Sequence, residues 1–292
     1  MINLASPTLH STKTADHSEK QLSVTFWGVR GSVPTPNPST QRYGGNTVCV
    51  EVNIGNQRLI FDGGTGLVGL GQSLLSQSNE HTQAHLFFTH TQWDRIQGFP
   101  FFQPAFTSGN HFSIYGGTAP NGASIKHCLT DQMLKPHFSM PLQNMQANLE
   151  FHTLTEQTSF SIEDINVEVI KTNPITEAFG YRITWQDRTL VYATDTPTER
   201  VDLDLLKFVD QADILIYDGT YSDLNYLCND SDETLEPWIL GTEVAKKARV
   251  KQLVLLHHSP LQDDTTLDQL QISVCNHFPH TTIAQEGMTI NF

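Results

Sequence analysis

Basic residues and cysteines are both scarce in this chain of 292 residues, and each shortage argues against a class of function. There are 17 lysines and arginines against 31 aspartates and glutamates, which gives a formal net charge of −14. Nucleic-acid binding depends on Lys and Arg neutralising phosphates, so we expect no long nucleic acid as a substrate or partner. The four cysteines are scattered with no Cys-x-x-Cys pair, at Cys49, Cys128, Cys228 and Cys275. This favours free thiols in a reducing compartment over a zinc knuckle or a disulfide framework.

Long apolar runs are missing as well. No stretch reaches the roughly 18 apolar residues that a membrane-spanning helix needs. Residues 1–21 are polar and lack the apolar core of a signal peptide. We therefore expect a cytoplasmic protein without membrane association. The hydrophobic content of 38% is enough for a sizeable core, and the domain prediction is a flexible leader at 1–21 and a single domain at 22–292.

The periodicity of apolar residues predicts a chain rich in strands, with helices between them. Predicted strands cover residues 22–27, 47–53, 58–61, 84–89, 111–115, 150–154, 165–171, 180–185, 189–193, 214–217, 252–256 and 281–284. Predicted helices cover residues 67–76, 202–209, 236–249 and 267–275, and an interrupted helical pattern covers 122–148. The predicted fold is α/β, an αββα sandwich in which two mixed β-sheets pack face to face with external helices.

Polar residues that could carry chemistry stand at or near the ends of apolar strands. These are His90, Asp94, Asp195 and His257. Strand ends are where a rigid scaffold presents side chains to a shared cleft. Imidazoles and carboxylates that converge there suit a divalent metal such as zinc or manganese. Each of these residues alone is more often a turn or capping residue, so the prediction rests on the four together.

Several sequence blocks resemble those of the metallo-β-lactamase-fold hydrolases that include ribonuclease Z and the phosphoribosyl cyclic phosphodiesterase. The matching blocks occur in the family's order, at residues 26–36 (FWGVRGSVPTP), 42–47 (RYGGNT), 61–66 (FDGGTG), 88–98 (FTHTQWDRIQG), 180–182 (GYR), 192–195 (YATD) and 253–257 (LVLLH). The resemblance covers about residues 22–260. It implies the metallo-β-lactamase fold and, in a complete member, a two-metal phosphodiesterase site.

The resemblance also implies which residues stand at the family's metal positions, and several of them differ from the family pattern. The family's metal turn reads His-x-His-x-Asp-His, and here it reads His90, Gln92, Asp94 and Arg95. A third histidine ligand aligns with Pro174, the metal-bridging aspartate with Asp195 and the last histidine ligand with His257. The family's phosphate-contacting histidine falls near Leu240. His90, Asp94, Asp195 and His257 therefore remain as a partial ligand set.

Arg95 is the substitution with the largest consequence. Arginine cannot lose its proton in a protein, and a guanidinium ~4 Å from a divalent ion costs roughly 8 kcal/mol at an effective dielectric of about 20. We hypothesise that Arg95 replaces a metal's charge by pairing with Asp94 or Asp195. The alternative is a retained site with one zinc or manganese ion, in which Asp94 and Asp195 are the catalytic residues.

Two function hypotheses follow. In the first, the protein is a non-hydrolytic or weakly active relative that binds a small, nucleotide-like ligand or a protein partner, with low metal occupancy or none. In the second, it is a metal-dependent hydrolase with a rearranged mononuclear site. The candidate ligand-binding residues are Arg95, Gln92, Asn46, Gly64 and Thr65, where the amides of residues 63–66 either bind an anion or form a structural turn.

Residues 122–148 are either core packing or a lid over the cleft. Of the two histidines at 257 and 258, at most one can face the cleft, and the resemblance favours His257. A homodimer is also compatible with the sequence.

Overall fold

The architecture follows from strands whose apolar residues face one or both neighbouring layers. The computed structural model describes residues 22–77, 81–196, 201–219 and 236–292. The predicted leader at 1–21 and Cys228 lie outside the described residues. The strands are β1 Leu22–Gly28, β2 Cys49–Ile54, β3 Gln57–Phe61, β4 Gln83–Phe87, β5 His111–Gly116, β6 Asn148–Thr153, β7 Ser159–Ile162, β8 Ile165–Asn173, β9 Ala178–Trp185, β10 Arg188–Ala193, β11 Ile214–Asp218, β12 Gln252–Leu256, β13 Thr281–Ile283 and β14 Thr289–Asn291. The helices are α1 Gly66–Gln77, α2 Trp93–Ile96, α3 Ile125–Asp131, α4 Leu203–Val209, α5 Pro237–Lys247 and α6 Asp264–His277.

Among the described residues, the strands form two seven-stranded sheets. The first has the order β14-β1-β2-β3-β4-β5-β6 and the second β13-β12-β11-β10-β9-β8-β7. In the first sheet β3, β4, β5 and β6 are parallel. In the second sheet β10, β11, β12 and β13 are parallel. Because parallel strands end at the same edge, the residues that follow them are brought together in each sheet.

Three buried apolar clusters define the layers. The central cluster joins both sheets, with Phe61 and Phe87 from the first and Tyr181, Leu190 and Val254 from the second. A second cluster lies under α1 and α3 on the outer face of the first sheet. A third lies under α4, α5 and α6 on the outer face of the second sheet. The predicted αββα sandwich of two mixed sheets is confirmed.

Local patterning explains most of the elements. The helix α1 buries Leu67, Leu70 and Leu74 on one face, which is the 3.6-residue spacing expected of a helix on a sheet. The strand β12 is buried from Leu253 to Leu256, as a parallel strand covered on both faces requires. No helix in the described parts of the chain is both long and apolar enough to span a membrane.

The segment at 122–148 differs from its predicted helical pattern. Helix α3 is short, and the remainder runs through turns and a 3-10 turn at Leu142–Asn144. Prolines at 136 and 141 interrupt the segment because proline removes a backbone donor and disfavours helical geometry before it. Two short strands, β7 and β14, were absent from the sequence prediction and lie at sheet edges.

Removal of a side chain between the sheets should cost far more stability than removal of the same side chain at the surface. Leu190 is fully buried and Leu203 is 72% exposed. We expect Leu190→Ala to lower the free energy of unfolding by about 2–5 kcal/mol, since it leaves a cavity in the central core. Leu203→Ala should change it by about 0.5 kcal/mol or less. Urea unfolding followed by circular dichroism measures both, and equal losses would contradict the layer assignment.

Candidate functional site

Side chains from both sheets meet where the parallel strands end. Asp62 directly follows β3, and His90 follows β4 after Phe88 and Thr89. In the second sheet Asp195 follows β10, while Asp218 ends β11 and His257 directly follows β12. The residues selected by the strand-end pattern therefore lie together at one edge of the sandwich.

The guanidinium of Arg95 occupies the middle of this edge. Arg95 belongs to the short helix α2 and is only 1% exposed. Its Nη1 lies 2.9 Å from Asp62 Oδ2, its Nε 3.3 Å from Asp94 Oδ2 and its Nη2 3.5 Å from Asp218 Oδ1. One fixed positive charge thus contacts three carboxylates, and we call these four residues the arginine cluster.

The predicted partners of Arg95 are correct in part. The contact with Asp94 is present. Asp195 is not among the ion-pair partners of Arg95 in the described residues, and its place is taken by Asp62 and Asp218. The Asp195 carboxylate instead accepts a hydrogen bond from Thr176, and its backbone N–H donates to Asp218 Oδ2 at 2.5 Å.

Burial and charge act in opposite directions on the pKa values of the arginine cluster. Burial alone would raise the pKa of Asp94, but the hydrogen bond from His257 and the charge of Arg95 hold it below its usual range. Burial raises the pKa of Asp218, against the opposing influence of His257 and Arg95. Burial opposes the charge on Arg95, yet the surrounding carboxylates raise its pKa well above the ordinary value. Arg95 is therefore a permanent cation.

Asp62 is the most completely bonded carboxylate of the arginine cluster. Thr89 donates to its Oδ1 from the backbone N–H at 2.8 Å and from the hydroxyl at 2.9 Å. Tyr192 donates to its Oδ2 at 2.9 Å, and Arg95 donates to the same oxygen at 2.9 Å. Asp62, at the end of β3, is therefore bonded to α2, to β10 and to the segment that follows β4.

His90 and Gln92 form a second, smaller group beside the arginine cluster. The ring Nδ1 of His90 lies 2.9 Å from the Thr89 hydroxyl, and its Nε2 lies 2.9 Å from Gln92 Oε1. Because the Thr89 hydroxyl donates to Asp62, it accepts from His90 Nδ1–H. Both ring nitrogens of His90 are thus engaged by neighbouring protein groups.

The two adjacent histidines face opposite ways. The Nε2 of His257 lies 3.2 Å from Asp94 Oδ2, whereas His258 Nε2 bonds the carbonyl of Ala284 at 2.8 Å. Burial lowers the pKa of His258 to about 3, so it is a neutral structural residue. His257 is the one that faces the arginine cluster, as predicted.

Three residues at this edge have backbone conformations that side chains rarely adopt. Asp62 has a φ of 60°, Asp195 of 53° and His257 of 63°. Positive φ in a residue other than glycine is uncommon, although Asp and His tolerate it better than most residues. Gly31 packs against the ring of His257, and a Cβ there would lie 2.6 Å from its Cε1. Three of the ten described non-glycine residues with positive φ therefore lie at the candidate site.

The turn at residues 63–66 is structural. The amide of Gly63 donates to Arg95 O at 2.6 Å, that of Gly64 to Val48 O at 2.8 Å and that of Gly66 to Thr47 O at 3.1 Å. The Thr65 amide donates to the Thr47 hydroxyl at 2.8 Å. All four amides are used within the protein, so they are not available to an anion.

The remaining predicted site residues lie outside the arginine cluster. Asn46 is exposed, and its backbone N–H donates to Glu286 Oε1 at 2.5 Å. Gly64 and Thr65 belong to the structural turn, and their ligand-binding role stays a prediction without a supporting contact. Pro174 is exposed in the turn between β8 and β9, while Leu240 is buried in α5.

The segment at 122–148 packs against the first sheet through a few apolar side chains, while about half of its residues are exposed. Met133, Leu142 and Met145 are buried in the outer cluster of the first sheet, and Phe138 packs against it. Gln132 Nε2 donates to Ile96 O at 3.0 Å, which joins this segment to α2. Its buried side chains therefore belong to the core, and the lid role of the remainder stays a prediction.

The sequence prediction missed Asp62 and Asp218 as site residues, together with Tyr192, which bonds Asp62. Both aspartates stand at strand ends, so the signal that selected His90 and Asp195 could have found them. Their partners come from elsewhere in the chain, and Asp62 is 130 residues from Tyr192. Pairings at that separation leave no local pattern in the sequence.

The described residues do not contain a group of three or more His, Cys, Asp or Glu side chains arranged to hold a metal ion. Three buried atoms of the arginine cluster lack a hydrogen-bond partner, and two of them, Arg95 Nε and Asp218 Oδ1, still have an ion-pair contact, whereas Asp94 Oδ1 has neither. The residues at this edge therefore form an ion-pair cluster with one open acceptor.

Comparison with known proteins agrees with this architecture. Ribonuclease Z of Picrophilus torridus is 25% identical over 289 residues, covering 84% of this chain and 88% of the relative. Two solved structures share the fold at lower identity. The metallo-beta-lactamase fold protein YhfI of Bacillus subtilis has a TM-score of 0.66 at 18% identity, covering 94% of this chain and 100% of that one. Zn(2+)-bound PqqB of Methylobacterium extorquens has a TM-score of 0.66 at 16% identity, covering 92% and 100%.

A family model for the beta-lactamase superfamily domain matches residues 57–258. This range runs from the start of β3 to the histidine pair after β12 and contains all members of the arginine cluster. The expected superfamily and fold are confirmed, and this chain belongs to the beta-lactamase superfamily domain family.

Proposed function

We propose that this protein is a non-hydrolytic member of its family, in which the arginine cluster has replaced the metal site and the protein acts by binding. The observation that carries this proposal is the position of the Arg95 guanidinium, buried in contact with Asp62, Asp94 and Asp218. These carboxylates face a cation that is part of the chain.

The donor chemistry does not fit the family's metal site. A catalytic zinc normally needs three protein ligands and an open position. At the aligned positions Gln92 is a weak zinc ligand, Arg95 is a cation and Pro174 has no donor side chain. A divalent ion ~4 Å from the guanidinium would meet roughly 8 kcal/mol of repulsion at an effective dielectric of about 20. We therefore derive no catalytic step through a metal.

The second candidate function is a hydrolase with one zinc or manganese ion held by Asp94, Asp195 and His257. One observation favours it, since Asp94 Oδ1 is buried with no hydrogen-bond partner and buried polar atoms are normally satisfied. Against it, Asp94 Oδ2 contacts His257 and Arg95, and Asp195 accepts a hydrogen bond from Thr176.

Two cavities lined by described residues are smaller than the usual site for a drug-sized ligand. The space beside His90, Thr91 and Thr176 measures about 10 Å³, which is the size of one water molecule. A cavity on the outer face of the second sheet, lined by residues that include Tyr217 and Leu240, measures about 100 Å³. Sites for drug-sized ligands usually measure roughly 300–1,000 Å³.

Metal content and turnover test the proposal directly. Protein purified without chelators should contain no stoichiometric zinc or manganese by elemental analysis, because Arg95 repels a cation at this position. It should also fail to cleave bis-p-nitrophenyl phosphate when either metal is added. Stoichiometric metal together with metal-dependent cleavage would establish the mononuclear hydrolase instead.

Removal of the buried cation should destabilise the protein strongly. Arg95→Ala leaves three carboxylates without their counter-charge, and we expect the free energy of unfolding to fall by about 3–5 kcal/mol. Arg95→Lys should lower the free energy of unfolding by less, since lysine keeps the positive charge but cannot contact all three carboxylates as the guanidinium does. Arg42→Ala is the matched control. Arg42 pairs with Asp268 at the surface, so its removal should lower the free energy of unfolding much less. Urea unfolding with a chelator present measures all three, and an unchanged Arg95→Ala stability would show that Arg95 is not a structural cation.

Restoring the family's ligands should restore metal binding. The double variant Gln92→His with Arg95→His supplies two imidazoles beside His90 and Asp94 and removes the fixed charge. We expect it to bind zinc and to unfold at a higher temperature with zinc than without it, because a ligand of the native state stabilises that state. Titration calorimetry and thermal unfolding measure this, with Gln92→His alone as the control that keeps Arg95. Zinc binding by that single variant equal to that of the double variant would show that Arg95 does not exclude the metal.

A further inference from the structure

The second sheet has a cavity at the edge where its parallel strands begin. The cavity measures about 510 Å³, which is within the roughly 300–1,000 Å³ of sites that hold small organic ligands. Its lining residues lie at the starts of β10, β11, β12 and β13, and Phe292, which follows β14 of the first sheet, completes the lining. The arginine cluster lies at the opposite edge, where these strands end. We call this space the basal cavity.

Two polar side chains line the basal cavity on the inner face of the second sheet. Gln252 lies directly across from Ile214, and Thr282 lies directly across from Val254. Ile214 and Val254 belong to the central apolar cluster, and residues paired across neighbouring strands point to the same face. The side chains of Gln252 and Thr282 therefore face the first sheet, and they contact each other at 3.4 Å between Nε2 and Oγ1. An amide and a hydroxyl have more donor and acceptor positions than this one contact uses.

Two cationic side chains stand at the rim of the basal cavity beside one buried carboxylate. Lys251 Nζ lies 2.6 Å from Asp213 Oδ1, and Arg188 Nη1 lies 3.9 Å from the same oxygen. The other oxygen of Asp213 accepts the backbone N–H of Thr189 at 2.7 Å, so this carboxylate is held in place. Arg188 also lies 3.9 Å from Asp187, whose side chain is 88% exposed, and such a surface pair is weak. Asp213 therefore positions two cations while balancing the charge of one, and their side chains keep 65% and 45% exposure towards a ligand.

An aromatic ring is the third feature of the basal cavity. Phe292 is partly buried against the central cluster and also lines the cavity. Nucleic-acid bases of every kind stack on aromatic side chains, and Lys and Arg bind phosphate oxygens. A flat ring, hydrogen-bonding groups on its edge and a phosphate occur together in the nucleoside monophosphates. A long nucleic acid is still not expected, because the net charge of −14 repels a polyanion beyond this local pair of cations.

We propose that the basal cavity binds a nucleoside monophosphate. The base lies against Phe292 with its edge towards Gln252 and Thr282, and the phosphate lies on Lys251 and Arg188. The sequence predicts a nucleotide-like ligand near Arg95, whereas the basal cavity offers such a ligand a place at the other edge of the sandwich. The proposal is therefore independent of the function proposed for the arginine cluster, and of whether a metal ion binds there.

Titration calorimetry of the full chain with adenosine monophosphate tests this site. We expect one molecule per chain to bind with a dissociation constant below about 1 mM. Lys251→Gln and Arg188→Gln should each weaken this binding by about tenfold or more, since each removes a charge-assisted hydrogen bond. Lys251→Arg should bind more tightly than Lys251→Gln, because arginine also binds phosphate. Lys247→Gln is the matched control, since it removes the same charge from a lysine that pairs with Glu243 outside the cavity lining, and it should leave the affinity unchanged.

Thermal unfolding provides a second readout and shows whether each variant is folded. Adenosine monophosphate should raise the unfolding temperature of the wild type and of Lys247→Gln more than that of Lys251→Gln, because a ligand stabilises the state that binds it. A wild-type protein that does not bind adenosine monophosphate at millimolar concentration overturns the proposal. Binding that survives both cavity variants, or that Lys247→Gln weakens equally, overturns it as well. Adenosine that binds as tightly as its monophosphate would show that Lys251 and Arg188 take no part, and this result also contradicts the proposal.

Discussion

The neutralisation of one buried arginine is the constraint on which the rest of this site depends. A guanidinium stays charged at every relevant pH, and an uncompensated charge in a protein interior costs several kcal/mol. Arg95 is 1% exposed, so it needs carboxylate partners within ion-pair distance. Those partners come from the ends of β3 and β11 and from α2 itself. Both sheets of the sandwich are thereby tied to a single side chain.

The backbone around Arg95 is correspondingly fixed. The backbone N–H of Gly63 donates to Arg95 O, and that of Gly98 donates to Gly63 O. These two backbone hydrogen bonds connect the turn at 63–66 with the end of α2 and the residues after it. A Cβ at Gly98 would lie 1.9 Å from Gly64 O, which shows how close the two turns approach. Asp62, whose φ is positive, directly precedes the turn at 63–66, and the contacts of the turn help to hold it in that conformation.

Sequence reasoning predicted the fold well because apolar periodicity is local and the parallel strands are continuous apolar runs. It also predicted that His90, Asp94 and His257 lie at the ends of strands, and the structure places all three at one edge of the sandwich. It offered Asp94 or Asp195 as the partner of Arg95, of which Asp94 is in contact, and it overlooked Asp62 and Asp218, because which carboxylate reaches a guanidinium depends on how two sheets pack. Strands β7 and β14 were missed because edge strands of three or four residues have too little alternation to detect.

The stabilisation that a side-chain cation provides differs from that of a bound metal ion in how it depends on the surrounding solution. The stabilisation that a bound ion provides grows with the free concentration of that ion and disappears when the ion is withdrawn. The contribution of Arg95 has no such concentration term, because the guanidinium cannot dissociate. Under the proposed function, the described edge of the sandwich assembles as the chain folds, and its integrity does not depend on competition for trace metals.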